Sequence, residues 1–325
     1  MPVVTNNLPT SAHAIFGGVL QTEFPFPELP AIESDRSDWT VRIAVHPSQH
    51  VVAVLGEEKV DEHVKVYTST LTNGFRLQFD DTGIFDITDS GATITWCPPV
   101  GVRPELARAD FLGGVFSVAL HAQGVLCLHG SGVAIGAQAV GFLAAKGSGK
   151  STLAMALNAA GAKLVTDDML AVDPGPPAMV LPAAPILHLL EDSADQLRRA
   201  NTADRNPLRG KYKVTNFPAE RVATERTRLA AIYELVPRAP DDGEPPVRRV
   251  RQAETAAVLS LLRHPKLGES LAHAERHSTF DRAARIVREV PVYKLLLAHD
   301  FSRLPQVVGQ IMAWHAPGGP QPDGA

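Results

Sequence analysis

The sequence is poor in cysteine, since its 325 residues include only Cys97 and Cys127. Two isolated cysteines provide neither a disulfide framework nor the paired spacing of a zinc site. The twelve histidines are scattered and form no zinc-like cluster. We therefore expect a protein of a reducing compartment, the cytoplasm, without structural disulfides or zinc.

Long apolar runs and a charge excess are also missing. No apolar run approaches the ~20 residues that a membrane-spanning helix needs, and residues 1–18 lack the charged start and apolar core of a signal peptide. The formal net charge of −4 at pH 7 argues against general nucleic-acid binding. We expect neither a membrane nor a nucleic acid as a partner.

What the chain does contain is an ordinary globular composition, with 45% hydrophobic and 20% charged residues. Its length suits one large domain or two modest ones. Up to Pro98, short apolar strands alternate with turn signals such as Asn73-Gly74 and Ser90-Gly91, which predicts an antiparallel sheet. The predicted strands are Ala14–Phe24, Trp39–Val45, Val51–Leu55, Val64–Thr70, Phe75–Asp80, Ile84–Thr88 and Thr93–Cys97.

We therefore predict a β-rich N-terminal accessory region over residues 1–100, an α/β region over 101–315 and a disordered Pro/Gly-rich tail over 316–325. The sheet either positions a substrate or partner, or it is purely structural. In the second region the predicted helices are Arg103–Ala122, Pro185–Arg199, Thr255–Leu262, Leu271–Arg288 and Phe301–His315, the last with Ser302 as N-cap. The predicted strands are Gly124–Leu128, Met169–Val172, Arg228–Val236, Pro246–Val250 and Val292–Ala298.

One stretch carries recognisable chemistry. A predicted strand, Val140–Ala144, leads through a Gly/Ser loop into a helix that begins at Lys150. Glycines let backbone N–H groups turn towards an anion, and a helix N-terminus adds unsatisfied donors. Lys150 can then reach the β- and γ-phosphates, and the Ser151 hydroxyl can bind Mg²⁺. The predicted phosphate-binding residues are Ala145, Lys146, Gly147, Ser148, Gly149, Lys150, Ser151 and Thr152.

This loop departs from the pattern G-x-x-x-x-G-K-[ST] at one position, because Ala144 stands where the first glycine is usual. The alternative interpretation is a Gly/Ser-rich connection that happens to contain a lysine. The flanking strand and helix favour the phosphate-binding interpretation.

Asp167 and Asp168 follow the next predicted strand, Ala162–Thr166. Two adjacent carboxylates suit a metal ligand and a general base, and the sequence leaves open which is which. If Asp168 binds the metal, Ser151 and Asp168 are the two predicted Mg²⁺ ligands. Because a single helix separates the loop from these carboxylates, we expect the two strands to be neighbours in the sheet. The alternative is an exposed acidic turn.

Two further positions are candidates for the site. His129 ends an apolar strand, and it either contacts a phosphate or an aspartate, or is an ordinary core histidine. Residues 201–213 form a polar, basic segment whose Arg209, Lys211 and Lys213 either stabilise a transferring phosphoryl group or are simply solvated.

Several stretches of the chain resemble one family. They resemble the catalytic domain of HPr kinase/phosphorylase and, more closely, smaller HPr-kinase-related kinases, some of them encoded beside peptide natural-product genes such as those of lasso peptides. The matching stretches are Phe16–Leu29, Leu128–Gly130, Gly147–Ser151, Leu164–Asp168, Leu229–Leu235 and Val290–Leu295.

The resemblance implies a fold of the HPr kinase and phosphoenolpyruvate carboxykinase type, with ATP and Mg²⁺ as cofactors and a functional histidine at His129. It also implies a serine of a peptide or small protein as acceptor, and assembly into homo-oligomers. The chain departs from the family at Ala144 and Lys146, and it shows no HPr-binding or phosphorylase signature. HPr itself is therefore not the expected acceptor.

Three functions compete on the residues alone. A kinase uses Lys150, the glycine-rich backbone and Mg²⁺ to hold ATP, while a carboxylate takes the acceptor's proton. A hydrolysing ATP or GTP switch needs mobile switch segments, and a decarboxylating kinase needs a Lys/His metal site; neither signature is found. We favour the kinase, with a peptide serine as acceptor and a small-molecule alcohol as the alternative.

Overall fold

The computed structural model of the chain describes residues 10–47, 49–60, 62–189, 212–215, 217–239, 245–298, 300–316 and 318. Arg209 and Lys211 lie outside these residues, as does most of the predicted helix Pro185–Arg199. Within the described ranges the protein is mixed α/β, with two nine-stranded sheets and one two-stranded sheet. The chain divides into two compact units, Met1–Gln123 with Leu267–Ala274, and Gly124–Lys266 with Glu275–Ala325.

The first unit is built on a sheet with the strand order β3-β1-β2-β4-β9-β8-β7-β6-β5. Its pairs are antiparallel except β2 with β4 and β4 with β9, which are parallel. The strands are β1 Ser11–Ile15, β2 Gly18–Thr22, β3 Ala31–Ile32, β4 Trp39–Ile43, β5 Val51–Lys59, β6 Lys65–Leu71, β7 Gly74–Phe79, β8 Gly83–Thr88 and β9 Thr93–Cys97.

The predicted long strand Ala14–Phe24 is wrong, because the chain reverses within it. Phe16 and Gly17 both have positive φ, of 54° and 70°, and they form the two-residue turn between β1 and β2. A continuous apolar pattern does not reveal such a turn when its first residue is a phenylalanine.

Helical residues 104–122, which the sequence places in the second region, pack in the first unit. They form α1 Pro104–Asp110, a π-helical turn at Phe111–Val115 and α2 Phe116–Ala122. Gly113-Gly114 lies in the π turn, so the predicted helix Arg103–Ala122 is not one unbroken α-helix. The core is a cluster of edge-to-face and stacked rings: Phe16, Phe24, Phe26, Trp39, Phe85, Trp96, Phe111 and Phe116.

The second unit contains a mixed sheet with the strand order β10-β14-β15-β18-β12-β11-β13. Two more strands belong to it, because β20 pairs with β18 and β19 pairs with β20. β12, β18 and β20 run parallel to one another. The strands are β10 Leu126–Leu128, β11 Gly130–Ile135, β12 Gln138–Leu143, β13 Lys163–Thr166, β14 Leu170–Asp173, β15 Met179–Val180, β18 Thr227–Arg238, β19 Val247–Arg251 and β20 Val292–Ala298. The two-stranded sheet pairs β16 Leu187–Leu189 with β17 Tyr212–Val214. Residues 187–189 are therefore a strand, although the sequence predicted a helix over Pro185–Arg199.

Helices cover both faces of this sheet. The described helices after residue 123 are α3 Lys150–Ala159, α4 Glu254–Leu262, α5 Glu269–Ala274, α6 Arg276–Glu289 and α7 Leu304–His315. α3 and α7 contribute Leu153 and Ile311 to the core on one face. α4 and α6 contribute Leu261 and Ile286 on the other face. The predicted order of strand, loop, helix and strand over residues 138–166 is confirmed.

Two helix predictions need correction. The predicted helix Leu271–Arg288 is interrupted at Glu275, which separates α5 from α6. α5 belongs to the first unit, where the Glu58 carboxylate accepts hydrogen bonds from the backbone amides of Glu269 and Ser270. Ser302 is not the N-cap before α7. The Asp300 carboxylate accepts the Ser302 amide at 2.8 Å, at the start of a 3₁₀ turn over Phe301–Arg303.

The predicted adjacency of the strands before and after α3 is also wrong. β11 lies between β12 and β13, because it forms an antiparallel hairpin with β12 and pairs with β13 along its other side. The chain therefore crosses β11 before β13 begins. Asp167 still reaches the loop, since both follow the ends of strands at the same edge of the sheet.

Glycines in β11 and β12 allow β14 to pack closely across them. A Cβ atom placed on Gly141 would lie 2.5 Å from Leu170 Cδ2, and one on Gly132 would lie 3.1 Å from Leu170 Cδ1. Leu170 is completely buried at this crossing. The glycines thus let β14 begin beside the loop, and Asp168 immediately precedes β14.

Gly141→Ala should test this crossing, and we expect it to lower the free energy of unfolding by about 1–3 kcal/mol because the buried Leu170 must shift. Gly309→Ala is the matched control. Gly309 lies in α7 with nothing within 4 Å of an added Cβ, so the change should stabilise by about 0.5–1 kcal/mol. Urea unfolding of both variants measures the difference, and equal midpoints would contradict the close packing.

Candidate functional site

The loop between β12 and α3 forms a cradle of backbone donors. Gly147 and Gly149 have φ values of 85° and 87°, a left-handed conformation that a residue with a side chain adopts only at a cost. Gly149 is the residue before α3, so the first amides of that helix face the loop without intrahelical acceptors. An added Cβ on either glycine would meet nothing within 4 Å. The cradle has open space above its glycines and suits an anion.

Lys150, the first residue of α3, is buried and turned back onto this loop. Its Nζ donates to the carbonyl oxygens of Ala144 at 2.8 Å and Ala145 at 3.2 Å. The ammonium group is thus held at the mouth of the cradle. Ala145, Lys146 and Gly147 are exposed.

Asp167 lies against the start of α3. Its Oδ1 accepts a hydrogen bond from Ser151 Oγ at 2.8 Å and another from Ser131 Oγ at 2.5 Å. The Asp167 side chain is largely buried. The structure therefore brings the predicted metal-binding hydroxyl to Asp167, whereas the sequence had paired it with Asp168.

Asp168 points to different partners. Its φ of 70° is in the left-handed region, which is uncommon for a residue other than glycine. Its Oδ2 lies 2.5 Å from Lys266 Nζ, and its Oδ1 lies 3.3 Å from His129 Nδ1. The unusual backbone conformation at Asp168 gives the two adjacent carboxylates separate surroundings, as different chemical roles would require.

His129 follows β10 and is mostly enclosed. Its Nδ1 is 3.2 Å from the Asp168 carbonyl oxygen, to which a protonated Nδ1 donates. Burial, with added repulsion from Lys150 and Lys266, lowers the pKa of His129 to about 4 although Asp168 acts in the opposite direction. The imidazole is therefore neutral at neutral pH, with one nitrogen as donor and the other as acceptor.

Sequence reasoning missed Lys266 and Ser131. Lys266 reaches the site because residues 264–266 run beside β10: the His129 amide donates to the His264 carbonyl at 2.7 Å, and the Lys266 amide donates to the Cys127 carbonyl at 3.0 Å. Lys266 is 98 residues from Asp168 along the chain, and no local pattern marks it. Ser131 carries a weak signal, since a serine that is fully buried in an apolar strand needs a hydrogen-bond partner.

A third carboxylate stands at the same edge of the sheet. Glu234 of β18 lies opposite Leu143, the last residue of β12. Its Oε1 is 3.0 Å from Arg263 Nη2 and 3.7 Å from His264 Nε2. This acidic group is therefore already paired with a cation.

Two features are absent from the described residues, a cluster of metal ligands and a helix that could span a membrane. Among them, no group of three or more His, Cys, Asp or Glu side chains is arranged to hold a metal ion. None of the helices within these ranges is both long enough and apolar enough to cross a membrane.

Comparison with known proteins gives little beyond this geometry. No family model matches the chain, and no curated protein matches it. Among solved structures, the HPr(Ser) kinase/phosphatase from Coxiella burnetii matches with 14% sequence identity, over 57% of this chain and 93% of that chain, with a TM-score of 0.30. A TM-score this low does not establish a shared fold.

Proposed function

We propose that the chain is an ATP- and Mg²⁺-dependent kinase that transfers the γ-phosphoryl group to a hydroxyl, a serine of a peptide or small protein. One observation carries this proposal: a glycine-rich cradle with a lysine at its mouth lies beside a carboxylate paired to the helix-start serine, Asp167 with Ser151. A second carboxylate, Asp168, stands next in the chain. This combination supplies a phosphate site, a cation site and a candidate base.

The cradle fits a triphosphate. Phosphate oxygens can accept hydrogen bonds from the backbone amides around Gly149. They can also bind the Lys150 ammonium group, which in this structure donates to the Ala144 and Ala145 carbonyl oxygens. The left-handed glycines leave the space that such a group requires. These features support a phosphate-binding loop, and the resemblance of the sequence to HPr-kinase-related kinases implies a kinase core of the HPr kinase and phosphoenolpyruvate carboxykinase type.

The residues also fit Mg²⁺. Hydroxyl and carboxylate oxygens are ligands that Mg²⁺ accepts, together with phosphate oxygens, and Ser151 and Asp167 present such oxygens 2.8 Å apart. The bound ion would neutralise charge that develops on the phosphates. We therefore assign Asp167 rather than Asp168 to the metal, and Asp168 to the acceptor's proton.

The transfer itself needs little covalent participation from the protein. The acceptor oxygen forms a bond to the γ-phosphorus while the bond from that phosphorus to the β,γ-bridging oxygen breaks, and the hydroxyl proton passes to Asp168. Lys150 and the loop amides stabilise the negative charge on the phosphate oxygens. His129, neutral at neutral pH, orients Asp168 through its Nδ1 contacts.

The acceptor class rests on the resemblance of Gly147–Ser151 and Leu164–Asp168 to kinases encoded beside peptide natural-product genes. A homo-oligomeric assembly remains a prediction on the same basis. The cytoplasmic location remains a prediction from the low cysteine content, and a phosphate contact by Arg209 and Lys211 remains a prediction from the basic segment 201–213.

A transfer experiment tests the function. The purified chain is incubated with Mg²⁺ and ATP carrying ¹⁸O in its γ-phosphate, with serine-containing peptides, with small alcohols or with neither, and products are weighed by mass spectrometry. We expect labelled phosphate on a peptide serine. Label on a small alcohol would keep the kinase and change its acceptor class, while release only as inorganic phosphate, whatever acceptor is present, would replace the kinase by a hydrolase.

His129→Ala should lower kcat by about 10–100-fold, since it removes a group that orients the base without removing the base itself. His129→Asn should recover part of this loss, because its amide nitrogen can replace Nδ1 as donor to Asp168. The midpoint of thermal unfolding should change little in either variant. A large fall in that midpoint, with no recovery by asparagine, would instead make His129 an ordinary core residue.

A further inference from the structure

We propose that Lys266 is a second phosphoryl-binding lysine, which is held by Asp168 before nucleotide binds and transfers to the γ-phosphate when ATP occupies the loop. This inference rests on the proposed kinase function and extends it to a residue that no motif identifies. It also gives the site an order of events, since the movement of Lys266 frees a carboxylate oxygen for the acceptor.

The backbone of Lys266 is fixed while its side chain is able to move. Its amide donates to the Cys127 carbonyl at 3.0 Å, and the neighbouring Pro265 forms a bridge with Leu128. The side chain ends in an ammonium group on a flexible four-carbon stem with three donors. A lysine anchored in this way can exchange one anionic partner for another without rearranging the fold.

The Lys266–Asp168 pair is partly open to solvent. The Lys266 side chain is 16% exposed and the Asp168 side chain is 29% exposed, while their charged atoms lie 2.5 Å apart. The pair stands at the ends of strands rather than among core residues, so an entering ligand can reach it.

Lys266 and Lys150 act on the same region of the site. Both are close enough to His129 to oppose its protonation, so two cations flank one imidazole next to the cradle. In phosphoryl transfer, charge spreads over three oxygens of the moving group. Lys150 and Lys266 together can stabilise more of that charge than Lys150 alone.

The exchange has a direct consequence for the acceptor. While Lys266 holds Asp168 Oδ2, and His129 lies at Oδ1, a hydroxyl group must compete with both for the carboxylate. Once the γ-phosphate attracts Lys266, Oδ2 can accept the acceptor's hydroxyl. Binding of the triphosphate would therefore precede productive binding of the acceptor.

Amine labelling with mass spectrometry tests the contact of Lys266 with the γ-phosphate without relying on activity, in a variant that lacks the competing Asp168 carboxylate. The Asp168→Asn variant is labelled alone, with ADP and Mg²⁺, and with a non-hydrolysable ATP analogue and Mg²⁺. We expect the analogue, but not ADP, to lower Lys266 labelling by about tenfold, the effect of one charge-assisted hydrogen bond to phosphate. Lys163, exposed on β13, serves as the internal reference, and Lys150 reports on nucleotide binding itself.

The outcomes separate the two proposals. If both nucleotides protect Lys150 while Lys266 labels equally in all three states, the Lys266 inference is wrong and the nucleotide site stands. If neither lysine is protected, the proposed function fails as well. Protection of Lys266 by ADP as strongly as by the analogue would also overturn the inference, because it would not depend on the γ-phosphate.

Kinetics provide the second measurement. Lys266→Met keeps the length of the side chain without its charge and should reduce kcat by about 10²–10³-fold, as for loss of one charge-stabilising donor, with a smaller change in the KM for ATP. Lys266→Arg should recover part of kcat, because it restores the cation. A wild-type kcat in Lys266→Met would contradict a phosphoryl contact. So would a Lys266→Arg variant that recovers no activity although its unfolding midpoint equals that of the wild type.

Discussion

Lys150→Ala is expected to reduce phosphoryl transfer by about 10³-fold or more, because it removes the cation nearest to the triphosphate. In the structure the Lys150 ammonium lies at the mouth of the cradle, on the Ala144 and Ala145 carbonyls. Without it, those carbonyl oxygens would face the incoming phosphates directly. We therefore expect a loss in both kcat and the affinity for ATP, measured by steady-state kinetics and by nucleotide titration.

Lys163→Ala is the control for this variant. Lys163 is an exposed lysine at the start of β13, and its removal changes the net charge equally without touching the loop. Its kcat/KM should stay within about twofold of wild type, since isolated surface charges contribute little. Near-normal turnover in Lys150→Ala would remove the basis for assigning the loop to phosphate.

The two aspartates should respond differently to the same chemical change. Asp168→Asn should lower kcat by about 10²–10⁴-fold, the usual contribution of a general base, while ATP binding stays measurable. Asp167→Asn should also stop transfer, but mainly by raising the Mg²⁺ concentration that ATP binding requires, because its carboxylate pairs with Ser151. Initial rates over a range of Mg²⁺ concentrations separate the two effects.

Asp173→Asn provides a matched control at the far end of β14, where Asp173 contacts Arg226 instead of the loop. It should leave both kcat and the Mg²⁺ requirement near wild type. Full activity in both Asp167→Asn and Asp168→Asn would place the base elsewhere. If Asp168→Asn rather than Asp167→Asn raised the Mg²⁺ requirement, the roles of the two carboxylates would have to be exchanged.

Local sequence patterns predict much of the structure over residues 138–166. The apolar run before residue 144, the Gly/Ser loop and the Ala-rich helix are each determined by residues close in sequence, and the structure contains β12, α3 and β13 in that order. The predicted proximity of the carboxylates to the loop also holds for Asp167, through its 2.8 Å contact with Ser151.

Long-range pairing accounts for what the sequence did not predict. The position of β11 between β12 and β13 follows from a hairpin that competes for the same sheet edge, and the order of strands is not encoded in any short window. Lys266 enters the site only because residues 264–266 add to the edge of β10. The separate orientations of Asp167 and Asp168 depend on one left-handed backbone conformation.

Tertiary packing also overrides one local prediction and explains the position of one glycine. The strand predicted over Ala14–Phe24 contains a turn because Phe16 adopts a left-handed conformation while its ring packs against Trp39 and Phe116. Gly141, within the strand that leads into the loop, is explained by the close approach of Leu170, a contact that the sequence does not indicate.

Hydrogen–deuterium exchange with and without ATP and Mg²⁺ tests most directly whether residues 144–152 and the two aspartates form one nucleotide site. We expect slower exchange in peptides that cover residues 144–152 and 164–168, and no such change in the Lys150→Ala variant. ATP binding without protection of either segment would contradict the assignment, as would equal protection in Lys150→Ala.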